Sequence, residues 1–181
     1  NYSVAGKLKA DLSAKGKQSD AMAGRYTNLQ NKGFIEFDQL ELATKEYPAP
    51  FLIPSGKLEF NQDKAWLKNM VLLYQQNEFR LNGYAQNFIG YMLQNGVLAG
   101  NLSVTSSKVN IDDFMAFAGT DTTVVATTSG GSGVILLPSN LNLALDATVK
   151  EIIYGSTKIT DFSGKLSLNK SGLQLIDTKF G

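Results

Sequence analysis

Gly100-Asn101-Leu102-Ser103-Val104, followed by Val109, Ile111 and Asp113, is the stretch that decides the fold. It returns as Gly164-Lys165-Leu166-Ser167-Leu168, followed at the same offsets by Leu173, Leu175 and Asp177, with Ser107 matched by Ser171. Looser copies begin at Gly56 (Lys57-Leu58-Glu59-Phe60, then Trp66), at Gly33 (Phe34-Ile35-Glu36-Phe37) and at Gly6 (Lys7-Leu8). Each copy reads as a glycine turn, an alternating strand, a polar turn and a second alternating strand. Repetition over tens of residues means stacked supersecondary units rather than a single-copy active site. The fold class this predicts is mostly β. It is an antiparallel meander of repeated hairpins, forming a curved, trough-like or sandwich-like sheet with one or two short helices.

Working outward, Tyr2 to Leu12 alternates as a strand, and Ser19 to Gln30 has the spacing of a short helix or an irregular connection. Phe34 to Leu42 is a strand whose imperfect alternation leaves its faces unassigned. Tyr47-Pro48-Ala49-Pro50 breaks the chain, because proline cannot donate to a ladder. Gly56 to Phe60 resumes as a strand. Trp66 to Gln75 and Glu78 to Ala85 form a hairpin around Gln75-Gln76-Asn77. Asn87 to Leu93 is apolar on too many sides for a half-buried strand and reads as one or two buried helical turns. Residues 118–133, almost pure Ala, Gly, Ser and Thr, read as a flexible loop within a single domain spanning 1–181. After Pro138, Leu141, Leu143, Leu145, Ala147 and Val149 face one way, and the residues between them face the other. The meander continues through Ile152–Tyr154, Ile159–Phe162, Lys165–Asn169 and Leu173–Lys179.

Composition narrows the chemistry. The 181 residues suffice for one domain with a core. Lys plus Arg is 17 against 16 for Asp plus Glu, so the basic footprint of a nucleic-acid binder is missing. There are no cysteines, which rules out a disulfide framework. There are no histidines, which removes the commonest general base, the commonest zinc ligand and every Ser-His or Cys-His pairing. No apolar run reaches the length of a membrane span. The opening at Asn1 and the stop at Phe180-Gly181 are read as those of a fragment whose anchor or signal has been removed.

An ordered series of short motifs resembles the AsmA family of bacterial envelope proteins. Asn82-Gly83-Tyr84 precedes the apolar helix at 87–93. Gly96-Val97-Leu98-Ala99-Gly100-Asn101-Leu102-Ser103-Val104 and Val109-Asn110-Ile111-Asp112-Asp113-Phe114-Met115 follow. Then come the low-complexity segment, Leu137-Pro138-Ser139-Asn140-Leu141, Ile152-Ile153-Tyr154-Gly155, and Ser163-Gly164-Lys165-Leu166 with its paired strand. Asp20-Ala21-Met22-Ala23-Gly24-Arg25-Tyr26 adds an earlier match. The resemblance implies a periplasmic, non-enzymatic module of outer-membrane biogenesis. Its parent would be anchored in the inner membrane through a helix outside this region. Expected partners are phospholipid acyl chains held in an apolar groove and other envelope proteins. No catalytic residue, metal or cofactor is implied.

An alternating sheet has one apolar face that must be covered. Leu102, Val104, Val109, Ile111, Leu141, Leu143, Leu145, Val149, Leu166, Leu168, Leu173 and Leu175 are the candidates for that face. Alternation alone does not separate a closed core from a lipid-facing groove. The alternative reading is a secreted or surface β-sandwich that binds glycan or protein, with Trp66, Tyr74 and Tyr91 as a stacking platform. Asp112-Asp113 lacks the rest of a calcium loop and reads as a turn or edge feature. Gly130-Gly131-Ser132-Gly133 lacks the Lys of a phosphate loop. Arg25 is expected to pair with Asp20 or another acid.

Overall fold

The computed structural model describes residues 2–25, 28–44, 47–115, 140–169 and 172–181. The expected flexible loop at 118–133 lies outside them. The elements run β1 (Tyr2–Lys15), α1 (Gln18–Met22), β2 (Gln30–Thr44), β3 (Phe51–Asn61), β4 (Lys64–Tyr74), β5 (Asn77–Gln86), α2 (Phe88–Gln94), β6 (Leu98–Ser106), β7 (Val109–Asn110), α3 (Asp112–Met115), β8 (Leu141–Tyr154), β9 (Thr157–Asn169) and β10 (Gly172–Lys179). All strands among the described residues belong to one open sheet, ordered β1-β2-β3-β4-β5-β6-β8-β9-β10, with β7 beside β8. The fold is the predicted mostly-β, trough-like meander; the described residues hold three short helices where one or two were expected. β3 begins at Phe51, earlier than Gly56, and holds Pro54 inside the strand.

Two features of the repeat differ from the sequence reading. The leading glycines are not turn residues: Gly6, Gly33, Gly56, Gly100 and Gly164 all lie inside strands. The register puts each on the sheet's apolar side; Gly56 opposes Phe37 and Gly100 opposes Ala85. A Cβ on Gly100 would run into the Tyr84 carbonyl oxygen, and one on Gly83 into that of Asn101. Glycine is used there because two backbones approach closely, not because the chain reverses.

The copies at Gly100 and Gly164 also fold differently despite their matched offsets. In the second, β9 and β10 form the expected antiparallel hairpin, Leu166 opposite Leu175 and Leu168 opposite Leu173. In the first, β7 does not turn back on β6. After Ser107-Lys108 it runs on in line, and both β6 and β7 pair parallel with β8. Asp112 and Asp113 then open α3 instead of continuing a strand. A parallel pair needs a long crossover, and the residues between α3 and β8 supply that length.

The unassigned faces of β2 have a local cause. Gln39 adopts φ 51°, and the register against β1 shifts there. One residue is thereby inserted, and Phe37 and Leu40 share a face although they are three apart. Pro54 opposes this point in β3, and Asn69 repeats the device in β4 with φ 50°. The Asn69 N–H, displaced from the ladder, donates to Asn82 Oδ1 at 2.8 Å. These irregularities cross successive strands at neighbouring levels, so they crease the sheet along a line transverse to the strands.

Candidate functional site

One continuous apolar face extends from edge to edge. Cross-strand partners share a face, so the register traces it. Leu8 opposes Phe37, Ile35 opposes Leu58, Leu58 opposes Leu67, and Met70 opposes Leu81. It continues through Leu81 opposite Val104, Leu102 beside Leu145, Leu145 opposite Leu166 and Leu166 opposite Leu175.

Burial varies systematically along this face. Leu40, Ile53 and Met70, the side chains beside the crease, are buried, and Phe37, Leu42, Leu67, Leu72 and Leu81 pack against them. All of these belong to the same sheet. Side chains on the inside of a bend converge and shield one another, which identifies the apolar face as the concave one. A second group, Leu58, Phe60 and Ala65, is joined by Phe88 of α2, whose ring stacks on Phe60 at 6.1 Å. At the edges the shielding fails: Leu8 is 59% exposed and Leu175 is 64% exposed.

The opposite face meets water. Lys9, Glu36, Lys57, Glu59 and Lys68 form a chain of ion pairs across β1 to β4, with separations of 3.4, 4.0, 3.3 and 2.7 Å. The Lys68 and Lys57 ammonium groups hold the Glu59 carboxyl below its ordinary range, and Lys158 does the same for Glu151. Such exposed pairs add little stability individually. They do make this face unsuited to apolar contact.

One rim of the trough is closed by aromatic and polar groups that sequence reading missed. Tyr74 is fully buried, its ring 4.5 Å from Phe51 and 4.9 Å from Phe114 of α3. Asn77, also buried, donates from Nδ2 to the Tyr74 carbonyl at 3.0 Å and to Asp113 Oδ2 at 2.9 Å. Its Oδ1 accepts from the Asn110 N–H at 2.7 Å. Asp112 accepts from the Gly155 N–H at 2.9 Å. Asp112 and Asp113 are thus structural: they tie the β4–β5 turn to β7 and the β8–β9 turn. The available signal was a polar residue, Asn77, following the apolar run that ends β4. Its partners lie in a distant segment, so spacing did not point to them.

The structure brings most predicted site residues together. Leu102, Val104, Leu141, Leu143, Leu145, Val149, Leu166, Leu168, Leu173 and Leu175 share the concave face. Leu143, Val149 and Leu168 are buried there; Leu173 and Leu175 are exposed. Val109 and Ile111 are set apart at the rim, Val109 beside Ile152 and the Ile111 N–H bonded to the Ile153 carbonyl. The proposed sugar platform is not assembled. Trp66 opposes Glu59 on the convex face, whereas Tyr74 opposes Phe51 on the concave one. Arg25 pairs with Asp20 at 2.7 Å as expected. Among the described residues, no helix is long and apolar enough to cross a membrane, and no cluster of three acidic side chains could hold a metal.

Comparison with family models, curated proteins and solved structures returns no match for this chain.

Proposed function

We propose that the chain is a non-enzymatic lipid-handling module whose concave face holds phospholipid acyl chains, in the service of outer-membrane biogenesis in the periplasm. The observation that carries this reading is the uninterrupted apolar face, traced strand by strand from β1 to β10 opposite a salt-bridged convex face. A covered core would bury its outer strands as thoroughly as its inner ones; here Leu8 and Leu175 stay exposed. The motif order shared with the AsmA family favours the same reading.

The mechanism needs no polar chemistry. Each buried methylene contributes about 0.8 kcal/mol, so a tail of roughly a dozen gains on the order of 10 kcal/mol before ordering costs. Because the gain is spread evenly, a tail shifts along the trough without losing one decisive contact.

The test is native mass spectrometry of the chain extracted from bacterial envelopes, with titration of a fluorescent fatty acid. Saturable binding that phospholipid displaces and salt leaves unchanged is expected. Leu145→Glu, on the concave face, should weaken it at least tenfold, and Thr148→Glu, on the exposed face, should not. A correctly folded chain that carries no lipid and binds no probe refutes the proposal.

A further inference from the structure

We infer that copies of this chain join head to tail, the edge of β10 pairing antiparallel with the edge of the next copy's β1; among the described residues neither edge has a neighbouring strand. The first support is strand direction. Neighbours alternate from β1 to β6, β8 repeats the direction of β6, and alternation then resumes to β10. The single parallel junction therefore leaves β1 and β10 running in opposite directions. An odd number of strictly alternating strands would have ended parallel. A second copy in the same orientation thus meets β10 as an antiparallel neighbour, the more stable ladder per residue. Its apolar face falls on the same side.

The second support is what the edges expose. Val4, Leu8 and Leu12 on β1 are 56%, 59% and 62% exposed, and Leu173 and Leu175 on β10 are 48% and 64% exposed. Their counterparts one or two strands inward, such as Leu168 at 7% and Ile53 at 7%, are shielded by a neighbour on each side. Natural edges are blunted by proline, by a charge on the inner face, by lysines or by a bulge. β1 carries lysines on its outer row and β10 a bulge between Leu175 and Asp177, but neither edge has proline or an inner-face charge beside its exposed leucines. The concave row of β1 is Val4, Gly6, Leu8, Ala10, Leu12 and Ala14, and neither β1 nor β10 contains proline.

The third support selects the pairing. The convex row of β1 carries Lys7, Lys9 and Lys15 against a single Asp11. Two β1 strands related by a two-fold axis would set a lysine-rich row against itself, and like charges across a ladder are unfavourable. The convex row of β10 has Gln174, Asp177 and Lys179, which gives the β1 lysines an acidic partner. The head-to-tail interface is heterologous and open-ended. It does not depend on what the trough carries.

Analytical ultracentrifugation of the full chain tests this. The weight-average mass should rise from the 19.6 kDa monomer without a fixed plateau as concentration goes from micromolar to millimolar. Leu8→Lys and Leu175→Lys alter residues already exposed, so circular dichroism should match the parent. Each variant alone should remain monomeric. Mixed in equal amounts, they should form a one-to-one dimer and stop, because one supplies an intact β10 edge and the other an intact β1 edge. Leu12→Lys and Leu173→Lys provide a second pair. A parent chain that stays monomeric throughout overturns the inference. So does a single variant that still dimerises, since that result means two-fold pairing of like edges.

Discussion

Replacing Asn77 by alanine tests whether the rim clasp holds the two halves of the sheet together. The side chain makes three hydrogen bonds: to the Tyr74 carbonyl at 3.0 Å, to Asp113 at 2.9 Å and from the Asn110 N–H at 2.7 Å. Two are neutral and one involves a carboxylate. At about 1 kcal/mol for each neutral bond and about 1.5–3 for the charged one, the loss is roughly 3.5–5 kcal/mol. Asp113 keeps its bond from Asn110 Nδ2 at 3.2 Å, which places the expectation near the lower figure. For a chain of this size, about 3.5 kcal/mol lowers the melting temperature by roughly 7–14 °C. The assay is urea unfolding followed by far-ultraviolet circular dichroism, with hydrogen exchange of Val109 to Ile111 as a local readout. Exchange there should accelerate more than in β2 or β3. Asn77→Asp sharpens the test: it retains an acceptor for Asn110 but turns a carboxylate towards Asp113. That variant should be less stable than alanine at neutral pH and should recover as acid protonates one of the pair. An alanine cost below about 1 kcal/mol, or an aspartate variant indifferent to pH, would refute the clasp.

Gly83→Ala should cost at least about 2 kcal/mol in urea unfolding, since φ is +138° and the new Cβ meets the Asn101 carbonyl. Gly155→Ala, with open space around it, should cost only the left-handed backbone penalty of about 1–2 kcal/mol. Phe114→Ala should destabilise by about 3–5 kcal/mol, because its ring covers the buried Tyr74. Acid should remove a small part of the stability. The lowered carboxyls of Glu59 and Glu151 contribute fully above their ordinary 4.5 and lose that contribution as pH falls through their lower folded values. The double variant Glu59→Gln, Glu151→Gln should therefore show a flatter urea midpoint between pH 5 and pH 3 than the parent chain.

Strands with strict alternation were the most legible. In β8, Leu143, Ala147 and Val149 are buried while Asn142, Asp146 and Thr148 are exposed, because nothing interrupts the period of two. The Gln75-Gln76 turn was legible because an apolar run ends on each side of it. β2 was not, because one inserted residue at Gln39 changes which parity faces inward, and the sequence carries no mark of it. The leading glycines were read as turns because glycine serves turns and close backbone approaches equally well. Only the neighbouring strand distinguishes the two uses, and that neighbour is set by the whole sheet. The parallel junction was hidden for a related reason. The matched words at Gly100 and Gly164 encode the same local strand, and the partner of each depends on a crossover far from either. At the candidate site, ten of the twelve predicted residues line one face. The rim clasp escaped because Asn77 and Asp113 are polar residues brought together by tertiary structure.

The transverse crease makes the long axis of the apolar channel run across the strands, so its length is counted in strands, not in residues. Neighbouring strands sit about 4.8 Å apart, and nine abreast give roughly 38 Å. The channel is thus a graduated ruler whose reach grows by one small increment per strand while its width stays fixed.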